Sequence, residues 1–505
     1  MNDLVTQKKE LHETSWLAGY KYFSQIINEH NLKTGAEIGV AFGGHSEAIL
    51  RQTEVHRLYG VDEYRHRRDY SDPMNLTQKD FEILFQRTKQ RLSQFGDRFV
   101  LVRAHSTQAV NEIAGFLDFV YIDADHSYEG VARDLRSWYP KIRVGGVIGG
   151  HDYDHPNFPG VRKAIDEFFG RLNWEVYSEG EGVWWVRKEH VRTSFFIPAF
   201  NCELTVSEAV ESILKTNFED GDELIVVNDG SADGTVKVLD GLSAAYGNLR
   251  ILSHQSNKGG AATRNTCIEN ATNQILFCLD SDNVLPPRSA KPLKEFMVVS
   301  GADIATFQEV RYFEKQKDNV IHKWKYKTGV TTLADYLAGH VHAGSSGNYM
   351  FTKQSWVRAG GYPEFAGALD TWGFGLRQLA TGSVMQAMPG SYYLHRQGHE
   401  SYWIRDSRGK NLSAVALQVL LPYRDLIQEK DIKYITGPKG KDVWFDRLSR
   451  HPIRLKRKST GRTGVMSARP SMVSSLARIA LNKALAPLTP SQQMRAKAFL
   501  RTLAK

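Results

Sequence analysis

Two aspartates one residue apart, Asp280 and Asp282 in Leu279-Asp280-Ser281-Asp282, place their carboxylates on one side of an extended segment, because alternate residues share a face. Such a pair recruits Mg²⁺ or Mn²⁺, and a divalent cation there neutralises a departing diphosphate. Alone the pattern is common by chance. Here it closes an ordered series: Phe196-Ile197-Pro198-Ala199-Phe200-Asn201, then Ile225-Val226-Val227-Asn228-Asp229-Gly230-Ser231, then Asn257-Lys258-Gly259-Gly260 running on to Arg264-Asn265. Asp229, at a strand end, can accept the imide hydrogen of a uracil-type base. Arg264 offers a cationic fork to a diphosphate.

The first part of the chain carries a different constellation. Glu37-Ile38-Gly39-Val40-Ala41-Phe42-Gly43-Gly44 puts an acid at the end of a buried strand, then glycines where the chain must turn tightly and approach a ligand. The next strand ends in Asp62, where a carboxylate can hold the hydroxyls of a ribose. Two later strands deliver Asp123-Ala124-Asp125-His126 and Gly149-Gly150-His151-Asp152, both at carboxyl ends, where open parallel sheets hold their ligands.

Short β-branched strands alternating with helical periods must position these residues, which implies α/β modules with mostly parallel sheets. The first module has strands at 36–40, 57–62, 99–104, 117–124, 145–152, 174–178 and 182–188, the last two forming an antiparallel hairpin. A fresh strand at 193–200 begins at once, followed by strands at 222–229, 249–254 and 274–282. The expected organisation is one domain over 1–190, a second over 192–430, and a basic, partly helical tail over 431–505.

The first constellation resembles class I S-adenosylmethionine-dependent methyltransferases, most closely the sugar and small-molecule O-methyltransferase branch. The resemblance implies that Glu37, Gly39 and Gly43 line the cofactor, with Asp62 and Asp123 completing its site. In metal-dependent relatives the places of Asp123, His151 and Asp152 bind a divalent cation. That cation would orient a sugar diol, with His126 or His151 taking the proton and His126 the chosen candidate.

The second constellation resembles inverting family 2 glycosyltransferases of GT-A fold. The resemblance implies a nucleotide-sugar site at Pro198, Asn201, Asp229, Arg264 and Asp280, with a cation on Asp280, Asp282 and His395. The family's Glu-Asp-x₅-Arg pattern is altered here to Asp370-Thr371, ending at Arg377. Asp370 takes the glutamate's place, one residue from the expected position, and is the candidate catalytic base. The implied fold class is α/β: two Rossmann-like modules, methyltransferase then GT-A.

With 41% hydrophobic and 24% charged residues, the 505-residue chain has a globular composition. Its three cysteines exclude a disulfide framework. The net charge of +9 resides in the tail: from His451 onward there are 12 Lys and Arg and no acids, leaving 53 basic against 56 acidic residues elsewhere. A nucleic-acid partner is therefore not expected. The expectation is a cytoplasmic surface-glycan enzyme that uses S-adenosylmethionine and Mn²⁺ or Mg²⁺. It would transfer a sugar to a glycan or lipid-linked acceptor, methylate a sugar hydroxyl, and touch the inner face of an anionic membrane through the tail. The rival expectations are a non-catalytic cofactor-binding or glycan-binding first domain, or a scaffold with an inactive transferase.

Overall fold

In the computed structural model the described residues are 20–456, apart from 69–71, 73, 173, 179, 340–346 and 399–401. The chain divides into two compact units between His190 and Val191. The tail helices expected beyond 470 lie outside the described residues.

The first unit is a seven-stranded sheet of β1 (Thr34–Ile38), β2 (Arg57–Val61), β3 (Phe99–Val102), β4 (Leu117–Ile122), β5 (Ile142–Gly150), β6 (Tyr177–Ser178) and β7 (Trp184–Arg187). The order is β3-β2-β1-β4-β5-β7-β6. The first five run parallel, while β7 is antiparallel to both β5 and β6. Largely apolar stretches such as Leu117–Ile122, buried at every position but Asp118, form these strands, as two-faced burial in a parallel sheet requires.

Gly39 shows how tightly β1 leaves the sheet. Its φ is +93°, and a Cβ there would overlap the carbonyl oxygen of Asp123. The helix Tyr128–Trp138 buries Asp134 to 1% exposure. The Asp134 carboxylate accepts from the Ser106 hydroxyl at 2.7 Å, and that hydroxyl in turn accepts from the Trp138 indole at 2.7 Å.

The second unit is built on β8 (Thr193–Ala199), β9 (Glu223–Asn228), β10 (Leu249–Ser253), β11 (Ile275–Cys278), β12 (Ile304–Phe313), β13 (His322–Lys325), β14 (Gly329–Thr331), β15 (Met350–Thr352) and β16 (Met385–Arg396). The order is β10-β9-β8-β11-β15-β12-β16-β14, and β13 pairs with β12. The parallel half, β8 to β11, matches the sequence reading. In the mixed half every pair is antiparallel except β12 with β16, which is parallel.

The structure corrects the expected start of the tail. Residues 431–456 belong to the second unit: Ile435, Trp444, Leu448 and Ile453 are buried in the same core as Phe196 and Phe374. Arg454 pairs with Asp431 at 2.6 Å, fastening the end of this segment.

Burial raises the Asp134 carboxyl to about 6, with the Ser106 hydrogen bond opposing that rise. A carboxylate raised in the fold costs stability as pH climbs from its unfolded value toward 6, so the loss is complete above that window. Asp134→Asn is expected to raise the thermal midpoint of the first unit by several degrees at pH 8, the recovered energy being at most about 3 kcal/mol. The midpoint should be unchanged at pH 4; calorimetry at the two pH values checks this.

Candidate functional sites

In the first unit the ends of β1, β2, β4 and β5 open onto a cavity of about 620 Å³. Glu37, Gly39, Asp62, Asp123, His126, His151 and Asp152 all line it. Gly43 lies beneath the turn, packed toward Thr88 and Leu92.

Glu37 binds His45 Nδ1 at 2.9 Å and accepts from the Ser46 hydroxyl. His45 Nε2 is buried and has no partner among the described residues, although its ring lines the cavity. A buried unpaired imidazole nitrogen beside a glycine turn suits the polar end of an amino-acid cofactor.

Asp62 does more than face a ribose. It accepts backbone N–H bonds from Val40 at 3.1 Å, Ala41 at 3.0 Å and Tyr64 at 2.8 Å. It braces the glycine turn, and Glu63 presents a further carboxylate to the same cavity.

The acidic end of the cavity surrounds His126. Its Nε2 lies 3.3 Å from Asp123 and 3.0 Å from Asp152, and its Nδ1 lies 3.2 Å from Asp72. Burial disfavours the charged ring, but hydrogen bonds to Asp123, Asp152 and Asp72 outweigh it and raise the pKa. His126, the residue the sequence assigns to take the proton, thus meets carboxylates at both ring nitrogens.

Asp123, His126 and Asp152 each offer a ligand atom within 4.8 Å of the others, the one such group among the described residues. This group contains Asp123 and Asp152 of the expected cation set, with His126 beside them. His151 instead sits with Nδ1 3.2 Å from Asp152. Two carboxylates, Asp123 and Asp152, meet at His126 Nε2, a pair that a divalent cation fits.

In the second unit three of the predicted residues, Arg264, Asp280 and Asp370, bond to one another, and Asn201 and Asp229 bond to their neighbouring turns. Asn201 adopts a left-handed backbone (φ 47°) beside Pro198 in β8. Its side chain accepts from Ala232 N–H at 2.8 Å, and its N–H donates to the Ser231 hydroxyl at 2.9 Å.

Asp229 accepts from Lys258 N–H at 2.8 Å and Gly259 N–H at 2.9 Å, capping the helix Gly260–Glu269, and meets His254 Nδ1 at 2.7 Å. Both oxygens expected to read a base are thus engaged with protein groups.

Arg264 departs furthest from its predicted role. It donates to Asp280 at 2.6 Å and to Asp370 at 2.7 Å, buried at 6% exposure. Burial opposes its charge, but Asp370 and Asp280 outweigh it and raise its pKa well above the usual arginine value. Nε is buried and without a partner among the described residues, and each terminal nitrogen keeps a second N–H beyond these two bonds. Arg264 thus ties Asp280 to Asp370, the residue the sequence offers to a diphosphate being the tie.

Asp370 is 2% exposed, closed to solvent and held by that arginine. The neighbouring Thr371 faces the space where a Cβ on Gly347 would stand, beside Asp280.

Asp280 also accepts from the Asn348 amide at 2.9 Å, a partner the sequence reading missed. Asp280, Asp282 and His395 do not gather into a compact ligand group, because Asp280 is turned to Arg264 and Asn348. The main chain nonetheless brings them toward one another: Val284 and Leu394 exchange N–H···O bonds of 3.0 and 3.1 Å. Both oxygens of Asp280 being committed, the predicted cation contact falls first to Asp282.

Residues 36–153 match the methyltransferase domain family model, and residues 194–357 match glycosyl transferase family 2. The chain joins a methyltransferase domain to a family 2 glycosyltransferase domain. Among similar proteins, glycosyltransferase GlyG of Streptococcus pneumoniae is 27% identical over 166 residues, covering 32% of this chain and 53% of GlyG.

The UDP-Glc:alpha-D-GlcNAc-diphosphoundecaprenol beta-1,3-glucosyltransferase WfgD of Escherichia coli is 34% identical over 92 residues, covering 18% of this chain and 35% of WfgD. The chain thus spans about half or less of these relatives' length. S. aureus TarS 1-349 in complex with UDP-GlcNAc has a TM-score of 0.39 at 15% identity, over 51% of this chain and 70% of that one. That likeness is too loose to bear on function.

Two variants test these geometries. Arg264→Ala leaves the buried Asp370 carboxylate uncompensated and is expected to destabilise the glycosyltransferase domain by about 3–5 kcal/mol, read from urea unfolding. Asp152→Asn removes one carboxylate from the methyltransferase cluster. It is expected to weaken Mn²⁺ binding by about tenfold or more in calorimetric titration.

Proposed function

We propose that the chain is a bifunctional glycan-modifying transferase. The glycosyltransferase domain moves a sugar from a nucleotide-sugar to a glycan or lipid-linked acceptor, and the methyltransferase domain methylates a sugar hydroxyl. The observation that carries this reading is the placement of Asn201, Asp229 and Asp280 just after the parallel strands β8, β9 and β11, with Arg264, from the helix that follows β10, bonded to Asp280. The donor and diphosphate-lipid acceptor in WfgD's name support the same substrate classes here.

A divalent cation at Asp282 would offset charge on the leaving diphosphate. In the methyltransferase domain S-adenosylmethionine would supply an electrophilic methyl group. The chain's own part there is to seat it against Glu37, Gly39 and His45, and to hold a sugar hydroxyl at the Asp123–Asp152 end, where a cation lowers its pKa. Both small substrates are supplied in the cytoplasm, the compartment this reading assigns to the chain. Among the described residues no helix is long and apolar enough to cross a membrane.

A second reading has one observation in its favour. Asp370 is closed to solvent and paired with Arg264, while the expected base position is Thr371. The glycosyltransferase domain would then bind its donor without efficient transfer.

Nucleotide release from UDP-, GDP- and dTDP-sugars with Mn²⁺ separates the two. Under the first reading the wild type turns over one donor, and Asp282→Ala loses at least 100-fold. Under the second, the wild type binds a donor without turnover and Thr371→Asp gains activity. No donor binding by either protein would overturn both.

A further inference from the structure

The hairpin formed by β12 and β13 serves neither site described above. Strand β13, His322-Lys323-Trp324-Lys325, is exposed at every position and pairs on one side only, with β12. Its other edge is open among the described residues.

Natural edge strands are commonly guarded by lysine, and Lys323 and Lys325 make no ion pair among the described residues. A guard alone does not account for what lies between them. Trp324 is 44% exposed, and Ile321 just before the strand is 47% exposed. Large exposed apolar groups on an open edge are a liability unless something covers them.

Charge and position say what covers them. Between Glu309 and Lys327 there are six Lys and Arg against three acids, in a chain whose residues ahead of the tail are net acidic. His322 and Trp324 share one face of the strand, and Lys323 and Lys325 share the other.

The aromatic face continues inward. The His322 ring stacks on Tyr312 at 4.1 Å and 10°, and Tyr312 lies 5.0 Å from the His395 ring. His395 is next to Leu394, whose backbone bonds to Val284 join β16 to the segment following Asp282. A line of rings therefore runs from the open edge to the donor side of the glycosyltransferase domain.

We propose that this hairpin is an acceptor rail for an acidic saccharide. Its sugar rings would stack on Trp324 and His322 while its carboxylates or phosphates meet Lys323 and Lys325. A saccharide lying along the open edge meets rings on one side and ammonium groups on the other. This inference rests on the transferase reading and adds the acceptor's chemistry to it.

The test uses the full chain and three probes: hexameric oligogalacturonate, neutral maltohexaose, and phosphatidylglycerol vesicles. Wild type is expected to bind the acidic hexamer at least tenfold more tightly than the neutral one. Trp324→Ala and the pair Lys323→Glu with Lys325→Glu are each expected to lower that affinity about tenfold, with Trp324→Phe retaining it. Unchanged thermal midpoints will show that the variants fold.

Equal affinity in wild type and variants overturns the proposal. So does an effect confined to the vesicles, which would make the edge a membrane contact, and so does loss with the lysine pair alone, which would make it a nonspecific anion surface. Donor turnover by the wild type, measured without any saccharide, reports separately on the transferase reading.

Discussion

The second domain's site depends on a single buried guanidinium. Arg264 joins Asp280, on the turn after β11, to Asp370, the first residue of the helix Asp370–Ala380. Removing Arg264 leaves Asp370 buried without its cation, which is far costlier than losing a surface pair. The arrangement fixes the distance between the end of the parallel half-sheet and the helix that carries Thr371. It also decides which carboxylates remain for chemistry, since Asp280 and Asp370 are committed to the arginine.

The same economy recurs elsewhere in both domains. Parallel strands that feed helices leave backbone N–H groups unpaired at their carboxyl ends. Asp62 after β2 and Asp229 after β9 answer this need alike, each accepting two N–H bonds from a neighbouring turn. Residues with the look of ligand groups are thus also the bolts of their loops. A variant of Asp229 would disturb the Lys258–Gly259 turn before it altered any nucleotide contact.

This explains why some elements are legible in the sequence and others are not. Strands β1 to β5 and β8 to β11 are readable because two-faced burial writes itself as apolar runs. Strands such as β13 and β14 are not, since short exposed segments like His322–Lys325 and Gly329–Thr331 carry no such signature. Residues 431–456 read as tail because basic residues dominate the chain beyond them, although Trp444 and Ile453 are core. At the sites, residue types are legible and their partners are not. Asp72 comes from a loop with no motif, and no spacing rule links Arg264 to a residue 106 positions away.

Gly39 has a consequence for how the first domain can diverge. Because no side chain fits between its Cα and the Asp123 carbonyl, the turn that cradles the cofactor and the strand end that bears a cluster carboxylate are spaced by one hydrogen atom. A lineage cannot enlarge one without displacing the other. Substrate range in such a domain must therefore be explored elsewhere, on the rim formed by Arg65, Asn157 and Phe158, where the cavity wall is made of side chains.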